Sequence, residues 1–265
     1  GFPHHRPSHG MQLAAEMARL LQLDLFGVFV QEESLFGVAS LPFAREFRLL
    51  GGGWCPLDAA QLSRDMEIAA RSAEKAFTEA AKTLQTTCQF EVVRGSMAET
   101  IASISRANDI VLLTEPTNSA EYATPQFIGI LEAAMHSAAS VLLVPGKVAR
   151  YSGAIVAIET EPDDVSVEVA SAIAAAAREE LVIVEAFKSA GKDDTSAFPL
   201  SIGPRFRRIA LAEGGLLDLL AIETALRPVR ERLVVVTRSH DYSQLAIASM
   251  RHVPVLIIEP SKAKV

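Results

Sequence analysis

Two cysteines, one tryptophan and three tyrosines in 265 residues leave little material for several kinds of chemistry. Cys55 and Cys88 stand far apart, with no CxxC or Cys/His spacing around either; this speaks against a disulfide framework or a zinc knuckle and fits reduced thiols. Basic residues are outnumbered, 25 Lys and Arg against 32 Asp and Glu, for a net charge of −7 and a pI near 5.5. A nucleic-acid partner would demand a basic face. No apolar run approaches the roughly 20 residues that span a bilayer, and the opening GFPHHRPSHG lacks the apolar core of a signal peptide. No Gly-x-Ser-x-Gly elbow and no Walker pattern occur. The expectation is an acidic, cytoplasmic chain with no nucleic-acid or membrane partner and no catalytic residues.

What the chain has in quantity is aliphatic side chain. Its 49% hydrophobic content suffices to build a core in each of one or two ordinary domains. It also repeats itself. The run Met135 to Pro145 (MHSAASVLLVP) returns as Met250 to Pro260 (MRHVPVLIIEP), and upstream Asp109 to Thr114 (DIVLLT) matches Glu231 to Thr237 (ERLVVVT). The period is far too long for a solenoid, so two related α/β domains are expected, over residues 1–147 and 148–265.

Periodicity supplies the elements. In the first copy it predicts a helix from Ser8, as N-cap, to Leu21, and a doubly buried strand over Leu23 to Val30. An irregular stretch follows from Gln31 to Pro56, with Gly51 to Gly53 and Trp54, read as a lid or packing flap. A long helix capped by Asp58 runs from Leu57 to Leu84, then strand Cys88 to Val93, helix Met97 to Arg106, strand Ile110 to Thr114, helix Gln126 to His136 and strand Ser140 to Val144. The second copy predicts strand Ala154 to Glu159, helix Asp164 to Arg178, strand Leu181 to Phe187, a polar segment Lys188 to Pro204 in place of the long helix, strand Phe206 to Leu211, helix Gly214 to Leu226, strand Leu233 to Thr237, helix Gln244 to Met250 and strand Val255 to Ile258. Alternating β and α elements imply parallel sheets. The second copy opens on a strand and the first at the loop after one, so residues ahead of Gly1, or another segment, are expected to fill that slot.

In this order of elements, and in the closing pattern of helix, His-Ser-Ala or Arg-His, then Pro/Ser-Val-Leu-Leu/Ile-Val/Ile, the chain resembles the universal stress protein family, in particular its tandem members. The resemblance implies two five-stranded, Rossmann-like parallel sheets of the adenine nucleotide alpha hydrolase kind, related by a pseudo-twofold. It further implies that Val141 to Val144 and Val255 to Ile258 meet across that axis and cover edges that would otherwise invite aggregation. Further self-association into a homo-oligomer stays open.

Nucleotide-binding members of the family carry Gly-x2-Gly-x9-Gly-Ser/Thr after the fourth strand, where glycine lets backbone amides approach phosphate. Laid on this chain without gaps, those positions fall on Pro116, Ser119, Gly129 and Ile130. Pro116 has no N–H, Ser119 adds a Cβ and Ile130 replaces a hydroxyl with hydrocarbon. The matching loop of the second copy holds Arg238, Ser239, His240 and Asp241 and no glycine. No cofactor is therefore expected; the alternative is a binding module that keeps ATP, AMP or another anion in an altered pocket. The remnant positions are Gly129, Ser119 and Thr114 in the first copy. In the second they are Glu159, matching the acidic residue that the family places after its first strand, with Thr160 and Arg238. Pocket lining and solvated loop are both open readings for these three.

Other candidates read as structural. His4, His5 and His9 lie in a Pro-rich loop without fixed geometry, so no metal is expected. Asp163 and Asp164 cap the following helix. His136 and His252 sit at helix ends, Cys88 in a buried strand, and Arg205, Arg207 and Arg208 form a basic patch along a solvated strand edge, an anion or partner contact being the alternative.

Overall fold

The structure, a computed structural model, describes residues 9–48, 53–116, 121, 123–187, 205–211, 219–239 and 243–260. It divides into two compact units, Gly1–Ile104 and Ser105–Val265.

In the first unit, helix α1 (His9–Leu21) precedes strand β1 (Leu25–Glu32), helix α2 (Glu33–Ala39), strands β2 (Arg45–Arg48) and β3 (Gly53–Pro56), helix α3 (Ala59–Thr83), strand β4 (Cys88–Gly95) and helix α4 (Met97–Ile104). Asp58 caps α3 as expected, its carboxylate accepting from the Ala60 N–H at 2.9 Å. β1 and β4 pair in parallel, Leu25 opposite Cys88 through Glu32 opposite Gly95. Gly27 lets them meet α3, because a Cβ there would stand 2.7 Å from Phe90 and 3.1 Å from Phe77. Two expectations fail here. The stretch from Gln31 to Pro56 is not irregular, since it holds α2 and the antiparallel β2–β3 hairpin with Phe47 edge-on to Trp54. Nor is β1 buried on both faces: Phe26 is 51% exposed and Cys88, on its partner strand, half-buried; among the described residues β1 pairs with β4 alone. The N-cap assigned to Ser8 and the histidines at 4 and 5 lie outside the described residues.

The second unit holds strand β5 (Ile110–Thr114), helix α5 (Pro125–His136), strands β6 (Ser140–Val144) and β7 (Ala154–Glu159), helix α6 (Val165–Ala177), strands β8 (Leu181–Glu185) and β9 (Phe206–Ala210), helix α7 (Leu219–Leu226), strand β10 (Glu231–Thr237), helix α8 (Ser243–Arg251) and strand β11 (Val255–Ile258). Seven strands form one sheet in the order β5-β6-β11-β10-β7-β8-β9. Every pairing is parallel except β11 with β6, which is antiparallel.

Continuous aliphatic runs make the central strands, and their burial is complete: Ile155, Val156, Ala157 and Ile158 of β7 are at 0% exposure, as expected for parallel strands sheltered on both faces. Gly153 admits β7 to the sheet, since its φ is +139° and a Cβ would stand 2.1 Å from the Arg230 carbonyl oxygen. α6 is held at its start by the Asp164 cap and stopped by Arg178 in a left-handed conformation.

A five-stranded parallel sheet is thus met in the second copy, in the order β9-β8-β7-β10-β11, while the strands of the first copy fall into two pairs. β1–β4 lies in one unit and β5–β6 in the other, because no strand among the described residues links β1 to β5. The expected meeting of Val141 to Val144 with Val255 to Ile258 is present, Val255 pairing Leu143, Leu256 pairing Leu142 and Ile257 pairing Val141. The ladders also refine the repeat. Val111 lies opposite Val141 and its counterpart Val234 opposite Val255, which makes Leu142 and Leu256 equivalent, one residue off the match read from sequence. No helix of the described residues is long and apolar enough to cross a membrane.

Candidate functional site

Ligands of open α/β sheets bind beyond the carboxyl ends of the strands. At that edge of the second copy the chain places Glu159 and Thr160 after β7, Glu185 at the end of β8, Thr237 and Arg238 at the end of β10, and Gln244 in the first turn of α8.

Asp164 organises this edge. As N-cap of α6 it accepts from the Ser166 N–H at 2.9 Å, and it also takes the Thr160 N–H at 2.9 Å, the Thr160 hydroxyl at 2.7 Å and the Thr237 hydroxyl at 2.5 Å. It is 5% exposed. Burial pushes its carboxyl upward, but these hydrogen bonds outweigh burial and hold it below the ordinary range. Gln244, fully buried, donates to the Thr237 carbonyl at 3.2 Å and to the Ser239 hydroxyl at 2.6 Å.

Glu159 is also buried, and in the strand register it lies beside Glu185. Two adjacent carboxylates in neighbouring strands repel, and Arg208 answers both, at 3.0 Å from Glu159 and 2.6 Å from Glu185. Burial raises the Glu159 carboxyl, with Arg208 pulling the other way. Burial lowers the Arg208 guanidinium, but the two carboxylates more than reverse this and raise it. Arg208 is exposed on the outermost strand, as expected, and from there bridges the two carboxylates; Arg207 is likewise exposed, 3.8 Å from Glu180.

Arg238 points elsewhere. It donates to the Ser137 carbonyl at 2.8 Å and to the Ala139 carbonyl, both in the turn between α5 and β6, and pairs with Glu259 at 2.5 Å. The structure thus brings Thr160 together with Asp164 and Glu159 with Arg208, and directs Arg238 to the first copy.

Among the first-copy candidates, Thr114 ends β5 exposed and Pro116 follows it half-buried. Ser119 lies outside the described residues, as do His240 and Asp241. Gly129 is the fifth residue of α5, beyond the start set by the Thr124 cap. A Cβ at Gly129 meets nothing within 4 Å among the described residues, so none of them requires glycine there. His136 uses Nδ1 on the Glu132 carbonyl one turn back, at 2.8 Å. Among the described residues no cluster of three or more His, Cys, Asp or Glu could hold a metal.

Sequence reasoning missed Arg208 and the full reach of Asp164. The signal for Arg208 was present, in two glutamates ending adjacent strands. A cleft of about 480 Å³ opens at the opposite edge of the sheet, beside Gly153, Glu180, Arg207 and Arg230; there Glu179 is already paired with Arg232 and hydrogen-bonded by the Gly153 N–H.

No family model matches the chain, and no curated protein sequence does. Solved structures do. A universal stress protein from Archaeoglobus fulgidus DSM 4304 superposes with a TM-score of 0.61 at 12% identity, over 98% of this chain and 94% of that one. A putative universal stress protein from Pseudomonas aeruginosa UCBPP-PA14 gives 0.46 at 15% identity over 91% and 95% of the two chains. A functionally unknown protein from Pseudomonas aeruginosa PAO1 gives 0.48 at 15% identity over 94% and 88%. The Archaeoglobus likeness is one of fold: a mixed α/β architecture around a largely parallel sheet, of the kind a universal stress protein has.

Proposed function

We propose that the chain is a tandem universal-stress-type protein, with domains over residues 1–147 and 148–265, that is non-catalytic, acts in the cytoplasm in a regulatory or scaffolding capacity, and has lost most of its adenine-nucleotide binding. The observation that carries this reading is the saturation of the strand-end edge by the chain's own side chains. Asp164 accepts four hydrogen bonds from Thr160, Ser166 and Thr237, and Arg238 is engaged with two carbonyls and Glu259. A triphosphate entering there would have to displace this network and would find no glycine-lined cradle of amides in return. In the first copy Pro116 offers no N–H and Gly129 sits within a helix.

The pairing of Leu142 with its own counterpart Leu256 supports a pseudo-twofold through that pair, and hence an intramolecular pseudo-dimer. Its seam is apolar and closed, with Val141, Leu142, Leu143, Val255, Leu256 and Ile257 all at 0% or 1% exposure.

Calorimetric titration and thermal unfolding with ATP and with AMP, each with and without magnesium, test the reading. We expect no binding heat and no shift in Tm. A ligand at one hundred times its Kd adds about 2.7 kcal/mol of stability; a rise in Tm of that origin would instead favour a small-molecule binding module.

A further inference from the structure

The amino-terminal edge of the second-copy strands, opposite Glu159 and Asp164, is rich in arginine. The arginines buried there have partners: Arg232, its side chain 6% exposed, pairs with Glu179, and Arg251 holds Glu231 at 2.7 Å, with Arg150 3.7 Å from the same carboxylate. Arg178 and Arg227 follow the last turns of α6 and α7, where a cation meets the negative end of a helix dipole. These five are occupied by the fold itself.

Arg207 and Arg230 are not. Both are exposed and both line the cleft of about 480 Å³, together with Gly153, Ala154, Glu180 and Pro228. Among the described residues no carboxylate pairs with Arg230, and Arg207 has Glu180 at 3.8 Å, a pair in which the side chains are 44% and 47% exposed. Such a pair contributes under about 1 kcal/mol, and an incoming carboxylate can replace it. With Glu179 cancelled by Arg232 and Glu180 by Arg207, Arg230 and the exposed Arg205 at the foot of β9 remain uncompensated. The edge is locally cationic on a chain whose net charge is −7.

The sheet sets the span of the cleft. Arg230 immediately precedes β10 and Arg207 lies in β9, and the strand order β10-β7-β8-β9 puts three spacings, roughly 14 Å, between those strands. An extended peptide rises about 3.3 Å per residue and alternates its faces, so acids four residues apart point the same way at roughly 13 Å. Each can meet one guanidinium fork. Gly153, Ala154 and Pro228 give the intervening residues an uncharged wall. Phe206 stands next to Arg207 in the strand and so faces the other side of the sheet; among the described residues that line it, the cleft has no aromatic surface on which a base could stack.

We propose that this cleft is a docking site for an extended acidic segment of a partner protein, with carboxylates at positions i and i+4 held by Arg230 and Arg207. The site lies at the other end of the strands from the nucleotide edge and is independent of what that edge binds.

The probe is a capped, fluorescein-labelled peptide with the core Glu-Thr-Val-Thr-Glu, titrated with the whole chain at low ionic strength and followed by anisotropy. Saturable binding is expected, and Arg230→Gln and Arg207→Gln should each weaken it about tenfold, while Arg45→Gln, at an exposed arginine of the first unit, leaves it unchanged. Both cleft arginines are exposed, so the variants should keep the wild-type Tm. Spacing is the sharper test. The reordered core Thr-Glu-Val-Glu-Thr has the same charge but reaches one arginine at a time, and should bind about tenfold more weakly than the probe. Absence of saturable binding overturns the inference, as does binding that ignores the two substitutions or the spacing of the acids. A uridine oligonucleotide that binds more tightly than the probe and loses affinity in both variants would make this a phosphate site, and self-association of the unliganded chain that both variants abolish would make the occupant a second copy. Either result also overturns it.

Discussion

Glu115 and Arg238 occupy one position in two copies, each the residue after the closing threonine of its strand. Their backbones behave alike, the Glu115 N–H donating to Val144 and the Arg238 N–H to Ile258, each at 2.7 Å. Their side chains carry opposite charge, and each reaches the other copy. Glu115 accepts from the Ser249 hydroxyl of α8 at 3.1 Å, and Arg238 holds the carbonyls of Ser137 and Ala139. At both strand ends a long side chain thus fastens one of the two matching segments to the other. The two ties differ in strength. Arg238 makes several charge-assisted bonds, whereas Glu115 is 6% exposed with one neutral donor, and burial raises its carboxyl against the smaller opposing pulls of Ser249 and His252.

That contrast is open to attack by mutation. Arg238→Ala should cost about 2 to 3 kcal/mol in denaturant unfolding, because it strips charge-assisted hydrogen bonds from two carbonyls and the ion-pair partner from Glu259. Arg238→Lys should recover only part of this, lacking the fork that spans both carbonyls; full recovery would reduce Arg238 to a point charge. Asp164→Ala should cost about 2 kcal/mol through the lost cap and the released Thr160 and Thr237 hydroxyls. Because the folded-state carboxyl of Asp164 is depressed, its contribution is complete above the ordinary value of 3.8 and disappears as pH falls through its folded value. Acid unfolding of the variant should therefore lack that component. Glu115→Gln should show the smallest effect and the opposite sign, a gain under about 1 kcal/mol near neutrality, since the amide keeps an acceptor for Ser249 without the cost of a buried charge. A raised folded-state value means that native Glu115 binds its proton more readily than the unfolded chain does. The gap between wild type and Glu115→Gln should thus narrow as pH falls toward 4.5; a gap that widened would mean Glu115 is stabilised as a charge.

The same comparison marks how far the residues could be read before the structure. β7 and β10 announce themselves, because Ala154 to Ile158 and Leu233 to Val236 are unbroken aliphatic runs whose only stable home is the middle of a parallel sheet. Asp58 and Asp164 were legible as caps because the groups they satisfy are two residues away. The stretch from Gln31 to Pro56 was misread, since the seven residues of α2 are too few to display a helical period and the two four-residue strands of the hairpin too few to display alternation. Glu159 was legible as a residue of interest, but not its partner, because Arg208 stands 49 residues on and meets it only through the pairing of β7, β8 and β9. Arg238 looked like pocket lining for the same reason: its acceptors lie about one hundred residues upstream, and only the antiparallel meeting of β6 and β11 brings them near.

The most direct measurement is the nucleotide content of the chain as purified from its native source, by acid extraction and chromatography of the released bases. A strand-end edge occupied by Asp164, Thr237 and Arg238 predicts adenine nucleotide far below one equivalent per chain. A stoichiometric yield of ATP or AMP, retained through extensive dialysis, would contradict it.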